Sequence, residues 1–364
     1  MSERLRVLAL ATYPVEAAAS RYRIVQFIDA LAARGIDVTF SPFLDRELFD
    51  ALYTPRKLVL RSPRFAFRLA RRVADVIRAT RADVVWLQRE AMLFGPPVVE
   101  RIVRALGRPI VLDLDDATYL ASDSPVYGRL ASWLKWPSKN EQLIRWSSAV
   151  IAGNETIAAY VESVGKPAVI VPTIVDLNVF TPCESDRATP VIGWIGTHST
   201  YKFLQPLLPV LSELGREHEL SLRIVGSGFE RIEIPHVQVE AKRWQLEEEV
   251  SDFQSLDIGL YPLDDDAFTR GKSGFKAIQY MAAGVPFVMS PVGVCATMGI
   301  DGRTHLLARD ADEWRGHLAT LLRDRELRRA MGRAGRAYAE ENYRLEEQVE
   351  KIADVLRGAA KRFA

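Results

Sequence analysis

At 364 residues the chain is too long for one ordinary core and suits two domains of ~100–200 residues each. Its composition, 48% hydrophobic and 26% charged, is that of a globular chain. The net charge of +1 hides an asymmetry, since residues 1–180 carry 24 basic and 19 acidic side chains and the remainder 24 and 28; this is too mild for a duplex nucleic-acid binder, which shows a basic domain or stripe.

The first apolar run, RVLALA (6–11), reads as a strand. Ser20 can cap a following helix whose apolar face is Ile24, Phe27, Ile28 and Leu31, and Gly35 ends it before the strand IDVTF. Residues 53–81 hold nine basic side chains and one acid, Asp75. There Phe65, Leu69, Val73, Val76 and Ile77 form a core-facing stripe with the arginines elsewhere, so the arginines are either solvated or meet anionic lipid headgroups or a phosphate-bearing acceptor. Strands at 83–87, 109–114, 149–153 and 168–172 complete one open sheet. A polar, proline-bearing stretch at 174–190 reads as a linker, after which strands recur at 191–195, 221–225, 257–262 and 285–289. Strands alternating with helices imply an α/β chain of two Rossmann-like doubly wound domains, 1–173 and 191–345. Ligands of such sheets sit beyond the carboxyl ends of the strands.

Four loops there carry candidate chemistry. In RGKSGFKAIQYMAAGVPFVMS (270–290), Arg270, Lys272 and Lys276 surround a helix start that Ser273 can cap and whose end is Gly284. A lysine at a helix amino end costs ~0.3–1 kcal/mol, so these cations either point into solvent or await an anion. The strand, basic loop and helix order favours a phosphate ligand. VIGWIGTHSTYKF repeats the design with Gly196, hydroxyls at Thr197, Ser199 and Thr200, and Lys202. RIVGSGFE ends its strand in Gly226 and Gly228, a weak signal by itself. LDLDDATYL places Asp113, Asp115 and Asp116 at a strand end. An Asp-x-Asp phosphatase reading fits poorly, because Ala117 stands where a threonine belongs. Arg21 and Arg23, at a helix start, extend the anion argument to the first domain. The two cysteines, Cys183 and Cys295, lack CxxC spacing, and the five histidines share no ligand spacing, so no metal site is expected. The leading apolar run is too short for a signal peptide, and no stretch reaches the ~18 apolar residues of a membrane span; the expected location is cytoplasmic.

VIGWIGTHSTYKFLQPLLPVL, LRIVGSGFE, DIGLYPL and GFKAIQYMAAGVPFVMSPVGV, in that order, resemble the nucleotide-sugar-binding domain of family 4 (group 1) retaining glycosyltransferases. VPTIVDLNVFTP and DGRTHLLARDADEW resemble the segments that flank that domain. The resemblance implies the GT-B fold, two Rossmann-like domains facing a cleft, with the closing helix 346–364 packing back toward the first domain. It implies transfer from a nucleoside diphosphate sugar to an acceptor hydroxyl with retention, without a metal or other cofactor. It gives Lys202 and Lys272 the leaving diphosphate, with Asp115 and Asp116 on the catalytic side. The donor set it implies comprises Gly196, Thr197, His198, Gly226 and Gly228, with Arg243 and Trp244 near the base. From the opening loop come Arg270, Gly271, Ser273, Gly274, Phe275, Lys276 and Gln279. The acceptor side comprises Ser20, Arg21, Arg23, Arg89, Glu90 and Asp113.

The family's arginine after the first-loop glycine is Thr197 here, and its two glutamates eight apart are Gly271 and Gln279. Its first-domain histidine is replaced by DLDD or QRE. These departures leave open a non-catalytic sugar-nucleotide-binding subunit, while an epimerase of the same fold would want carboxylates where Gly271 and Gln279 stand. The expected acceptor is a saccharide, lipid-linked or phosphate-bearing, met by a cytoplasmic enzyme at an anionic membrane face.

Overall fold

The computed structural model describes residues 4–52, 62–120, 136–183 and 187–362. The chain divides into two compact units, Met1–Thr173 together with Leu345–Ala364, and Ile174–Arg344.

The first unit holds β1 (Leu5–Ala11), β2 (Ile36–Pro42), β3 (Val84–Gln88), β4 (Ile110–Leu114), β5 (Ala149–Ala152) and β6 (Ala168–Ile170), in the spatial order β2-β1-β3-β4-β5-β6 with every pair parallel. All residues of β3 and β4 are buried, which is why they read as unbroken apolar runs: helices cover both faces. One cover is the helix Leu345–Lys361, whose Val349, Ile352 and Leu356 are buried where it packs on the helix Ile28–Ala33 and on β3 and β4.

The second unit holds β7 (Val191–Ile195), β8 (Ser221–Val225), β9 (Gln238–Lys242), β10 (Ile258–Tyr261), β11 (Phe287–Met289) and β12 (Leu306–Leu307), all parallel and ordered β12-β11-β10-β7-β8-β9. Sequence reasoning missed β9 and β12. The former is a half-exposed edge strand of mostly polar residues, and the latter is two residues long. Tyr280, fully buried on the helix Phe275–Ala282, donates to Gly193 O (3.3 Å) and Leu260 O (3.1 Å) and so pins that helix over β7 and β10.

Three local expectations need correction. The stretch 174–190 is packed into the second unit over its described part: Phe180 is buried 5.9 Å from the Phe253 ring, and Arg336 donates to Leu177 O (2.9 Å). Ser20 caps nothing. It lies inside the helix Ala18–Arg23, where its hydroxyl donates to Tyr13 O (2.6 Å), and Ala17 precedes the first turn.

The helix Ser62–Ala79 is rotated from the expected phase: Phe65 and Val76 of the expected stripe pack against buried clusters, while the rest of it is exposed. Arg68 and Arg72, not Leu69, Val73 and Ile77, face inward. Arg72 donates to Ser41 O (3.0 Å) and Ala11 O (2.8 Å) and pairs with buried Asp75 (2.9 Å), while Arg68 donates to Phe43 O (2.6 Å) and Pro42 O. A guanidinium brings five donors to the carbonyls of Ser41, Pro42 and Phe43 at the end of β2, which are costly to bury unpaired, and adds a second bond to Ala11 O, which already accepts from Phe43 N (2.8 Å). Of the basic stretch, residues 53–61 lie outside the described residues.

Candidate functional site

In the second sheet the strand order reverses between β7 and β10, so the crevice of interest lies beyond their carboxyl ends. The loops there pack backbone against backbone. A Cβ on Gly226, whose φ is +80°, would lie 2.3 Å from Gly196 O, so only glycine permits the loops after β7 and β8 to meet. A Cβ on Gly228 would come 2.7 Å from the His198 ring, which stacks 6.0 Å from Phe229. Thr197 N donates to the Thr200 hydroxyl (2.9 Å), and the Thr197 hydroxyl bonds Ser199 (2.9 Å), closing a small hydroxyl cluster ahead of the helical run from Tyr201 to Glu217. Exposed Lys202 opens that run with its Nζ 4.9 Å from the Phe203 ring.

The loop after β10 is built by a capping box. The Asp266 carboxylate accepts from Thr269 N (2.7 Å), and Asp266 N donates to the Thr269 hydroxyl (3.0 Å). Burial opposes ionisation of Asp266, but these bonds, with Lys202 nearby, hold its carboxyl below the usual range. Lys202 on one loop and Asp266 on the other therefore share a field across the switch point. Gly274, at φ +65°, precedes the helix Phe275–Ala282; it takes the place expected of Ser273 because a Cβ there would meet Met298 at 2.6 Å. Gly271 is buried, and a Cβ on Gly293 would lie 2.3 Å from Arg270 O, so the loop after β11 braces this one.

The cations divide. Lys272 lies on this loop with its Nζ 4.9 Å from the Phe268 ring. Arg270 pairs with Asp265 (2.6 Å) and Arg243 with Glu230, both in exposed positions. Lys276 turns inward, to Gln279 Oε1 (2.8 Å) and 5.2 Å from the Phe253 ring. Gln279 is fully buried and donates to Glu249 (3.3 Å), which makes a Lys276–Gln279–Glu249 chain. Trp244 is half-buried, its Cβ 3.4 Å from the point a Gly226 side chain would occupy. Phe275, half-buried at the helix start, lies with its ring 5.9 Å from Lys276 Nζ.

In the first sheet the reversal lies between β1 and β3. Arg89, held at φ +60°, donates to both oxygens of Asp115 (2.6 and 2.8 Å) and lies 3.7 Å from Asp116. Gln88 adds a bond to Asp115 (3.0 Å). Burial opposes ionisation of Asp115, yet Arg89 holds its carboxyl below the usual range. Beside this group burial pushes the Tyr13 phenol up to about 12, while Glu90 pairs with buried Lys139. Arg21 is turned back onto its own loop, donating to Val15 O (2.8 Å) and Glu16 O (2.9 Å).

Three acceptor-side residues, Ser20, Arg23 and Asp113, are not at a surface. Arg23 and Asp113 are fully buried, paired at 2.6 Å, and Arg23 Nη1 also reaches Val171 O (2.5 Å). They tie the first helix to the ends of β4 and β6. No group of three or more His, Cys, Asp or Glu side chains forms a metal-binding cluster among the described residues.

Two family models match the chain: Glycosyltransferase Family 4 over residues 21–179 and Glycosyl transferases group 1 over residues 189–324. The chain is a family 4, group 1 glycosyltransferase. Its activity is glycosyl transfer. The structure of HepE from Anabaena in complex with UDP-glucose has a TM-score of 0.69 at 14% identity, covering 97% of this chain and 100% of that one. Sucrose-phosphate synthase from Thermosynechococcus elongatus gives 0.66 at 14% identity over 97% and 98%. The lipopolysaccharide outer core galactosyltransferase WaaB, in its apo form, gives 0.61 at 14% identity over 97% and 99%. These likenesses show the GT-B fold. No curated protein matches the chain by sequence.

Within this glycosyltransferase, sequence reasoning missed Tyr13, Lys139, Glu249 and Asp266. Two signals were present. Tyr13 follows β1 directly at the switch point, and DAFT (266–269) spells a capping box. Lys139 and Glu249 reach their partners only through the fold, at no recognisable spacing.

Proposed function

We propose that this glycosyltransferase moves a hexosyl group from a nucleoside diphosphate sugar to an acceptor hydroxyl with retention of anomeric configuration. The observation that carries the reading is the close packing of the Gly196 and Gly226 loops beside Lys202 and the Asp266–Gly274 loop at the second sheet's switch point. Such a crevice concentrates backbone dipoles and two lysines where a departing diphosphate needs them. UDP-glucose is the first donor to test, because the HepE structure holds it. Lys202 and Lys272 neutralise the diphosphate, and a diphosphate oxygen takes the acceptor proton. The half-buried Trp244 flanks the base, and Glu249, held by Gln279, supplies the carboxylate for ribose.

The first unit carries the acceptor, a saccharide that is lipid-linked or phosphate-bearing, in polysaccharide or glycolipid synthesis on the cytoplasmic side of a membrane. Asp115 and Asp116 act there through Arg89, whose single charge pairs with Asp115 and lies 3.7 Å from Asp116; helix ends and lysines on the donor side take the place of a divalent metal, so transfer proceeds without one. Calorimetry with UDP and UDP-glucose tests the donor site: Lys202→Ala and Lys272→Ala each weaken binding by ~1–3 kcal/mol, the range for a lost charge-assisted hydrogen bond. Unchanged affinity in both variants would falsify the site. Turnover persists in a chelator; full loss with rescue by magnesium or manganese would return the aspartates to a metal-ligand role.

A further inference from the structure

The inward turn of Arg68 and Arg72 leaves an apolar stripe on the outside of the helix Ser62–Ala79. Phe67, Leu69, Val73 and Ile77 are exposed, Phe67 to 64%. The helix Val98–Ala105 packs alongside, and its Val98 and Ile102, with Leu106 just beyond, repeat the pattern at four-residue spacing, the least exposed being Ile102 at 40%. Two neighbouring helices thus carry outward apolar stripes on one unit, where a scattered exposed leucine would need no explanation.

The exposed charges on the two helices themselves have one sign, and the acids that approach them, Asp45 and Glu47, meet Arg64 at the start of the first. Arg71, Arg78, Arg101 and Arg104 are exposed on the two helices, with Arg81 just beyond the first. The two acids on these helices are both withdrawn: Asp75 (1% exposed) pairs with Arg72, and Glu100 (3%) accepts from Ala91 N (2.8 Å). Every exposed charge on the described part of either helix is therefore positive. No helix of the described residues is long and apolar enough to cross a membrane.

We infer that this two-helix face seats the protein on a lipid bilayer rich in anionic headgroups. Apolar side chains enter the headgroup boundary, and the arginines extend along it to phosphate. A second copy of the chain fits poorly, since docking this face on itself would oppose arginines with arginines. An acidic protein would meet the arginines but leave the apolar stripes without a reason. The inference deepens the proposed acceptor reading, on which it rests: a lipid-linked acceptor lies in such a bilayer.

Sedimentation with phosphatidylglycerol–phosphatidylcholine vesicles tests it, beside phosphatidylcholine alone. The protein binds the anionic vesicles, high salt weakens the binding, and Val73→Glu/Ile77→Glu lowers the bound fraction roughly tenfold or more. Both positions are exposed, so the variant keeps its fold, which circular dichroism checks. An Ile102→Glu variant lowers binding in the same direction through the second helix. A wild-type protein that ignores anionic vesicles, or a double variant that binds as well as wild type, overturns the inference. So does a wild-type dimer that Val73→Glu/Ile77→Glu converts to monomer without any vesicle binding, because a second copy then covers the face. UDP calorimetry on the same samples separates the two claims. Vesicle binding without UDP binding supports the surface and removes the functional reading, and UDP binding without vesicle binding does the reverse.

Discussion

Gln279 stands where the family has a glutamate, and its surroundings decide what a carboxylate would do there. Its oxygen accepts from Lys276 (2.8 Å), its nitrogen donates to Glu249 (3.3 Å), and it is fully buried. By the resemblance alone, Gln279→Glu would simply put back the family's carboxylate. The geometry reverses that expectation, because the new carboxylate would face Glu249 directly, with Lys276 on its other side, and buried like charges raise each other's pKa or force a proton on. Gln279→Glu should lose ~1–3 kcal/mol of stability, and adding Glu249→Gln should restore most of it by returning one acid and one amide to the chain. Thermal unfolding of the two single variants and the double variant measures this. If the two changes add without rescue, the two side chains do not share Lys276.

At the scale of elements, the strands were legible because their signal is local. Residues β-branched or apolar and covered on both faces, such as VVWLQ and VIGWI, leave an unbroken run that few other structures produce. The helix Ser62–Ala79 was misread for the opposite reason. Its period was correct and its phase held only for Phe65 and Val76, since hydrophobic patterning assigns every arginine to the outside. The deciding facts are carbonyls of Ala11, Ser41, Pro42 and Phe43, contributed from tens of residues away. The same blindness hid Arg23, whose carboxylate partner Asp113 stands 90 residues along the chain. In the candidate site, glycines and lysines showed themselves by position after strands. Lys272 lies near the Phe268 ring and Lys276 turns to Gln279 and Phe253; of these partners only Phe253 is remote in sequence, and it carried no local signal.

For the whole molecule, the feature of most consequence is that the first unit is discontinuous. Its sheet is covered in part by Leu345–Lys361, whose Val349, Ile352, Ala353 and Leu356 are at most 1% exposed. Deleting residues 345–364 should leave β3 and β4 uncovered on that side and cost the first unit several kcal/mol, of order ~1.5–3 kcal/mol for each large side chain removed. Differential scanning calorimetry reads the result as a transition that falls in temperature while the one belonging to the second unit stays. A single unshifted transition would mean that the helix contributes little.

That arrangement also fixes an order of events on the ribosome. The second unit is one uninterrupted stretch and can close as soon as residue 344 has emerged. The first unit, although translated earlier, must hold its six-stranded sheet without one covering helix until Leu345–Lys361 arrives. During that interval it exposes apolar surface on β3 and β4 as well as the outward stripes of Ser62–Ala79 and Val98–Ala105, so the nascent chain is most adhesive before residues 345–361 emerge. A bilayer or a holding chaperone close to the exit site would shelter it at that moment.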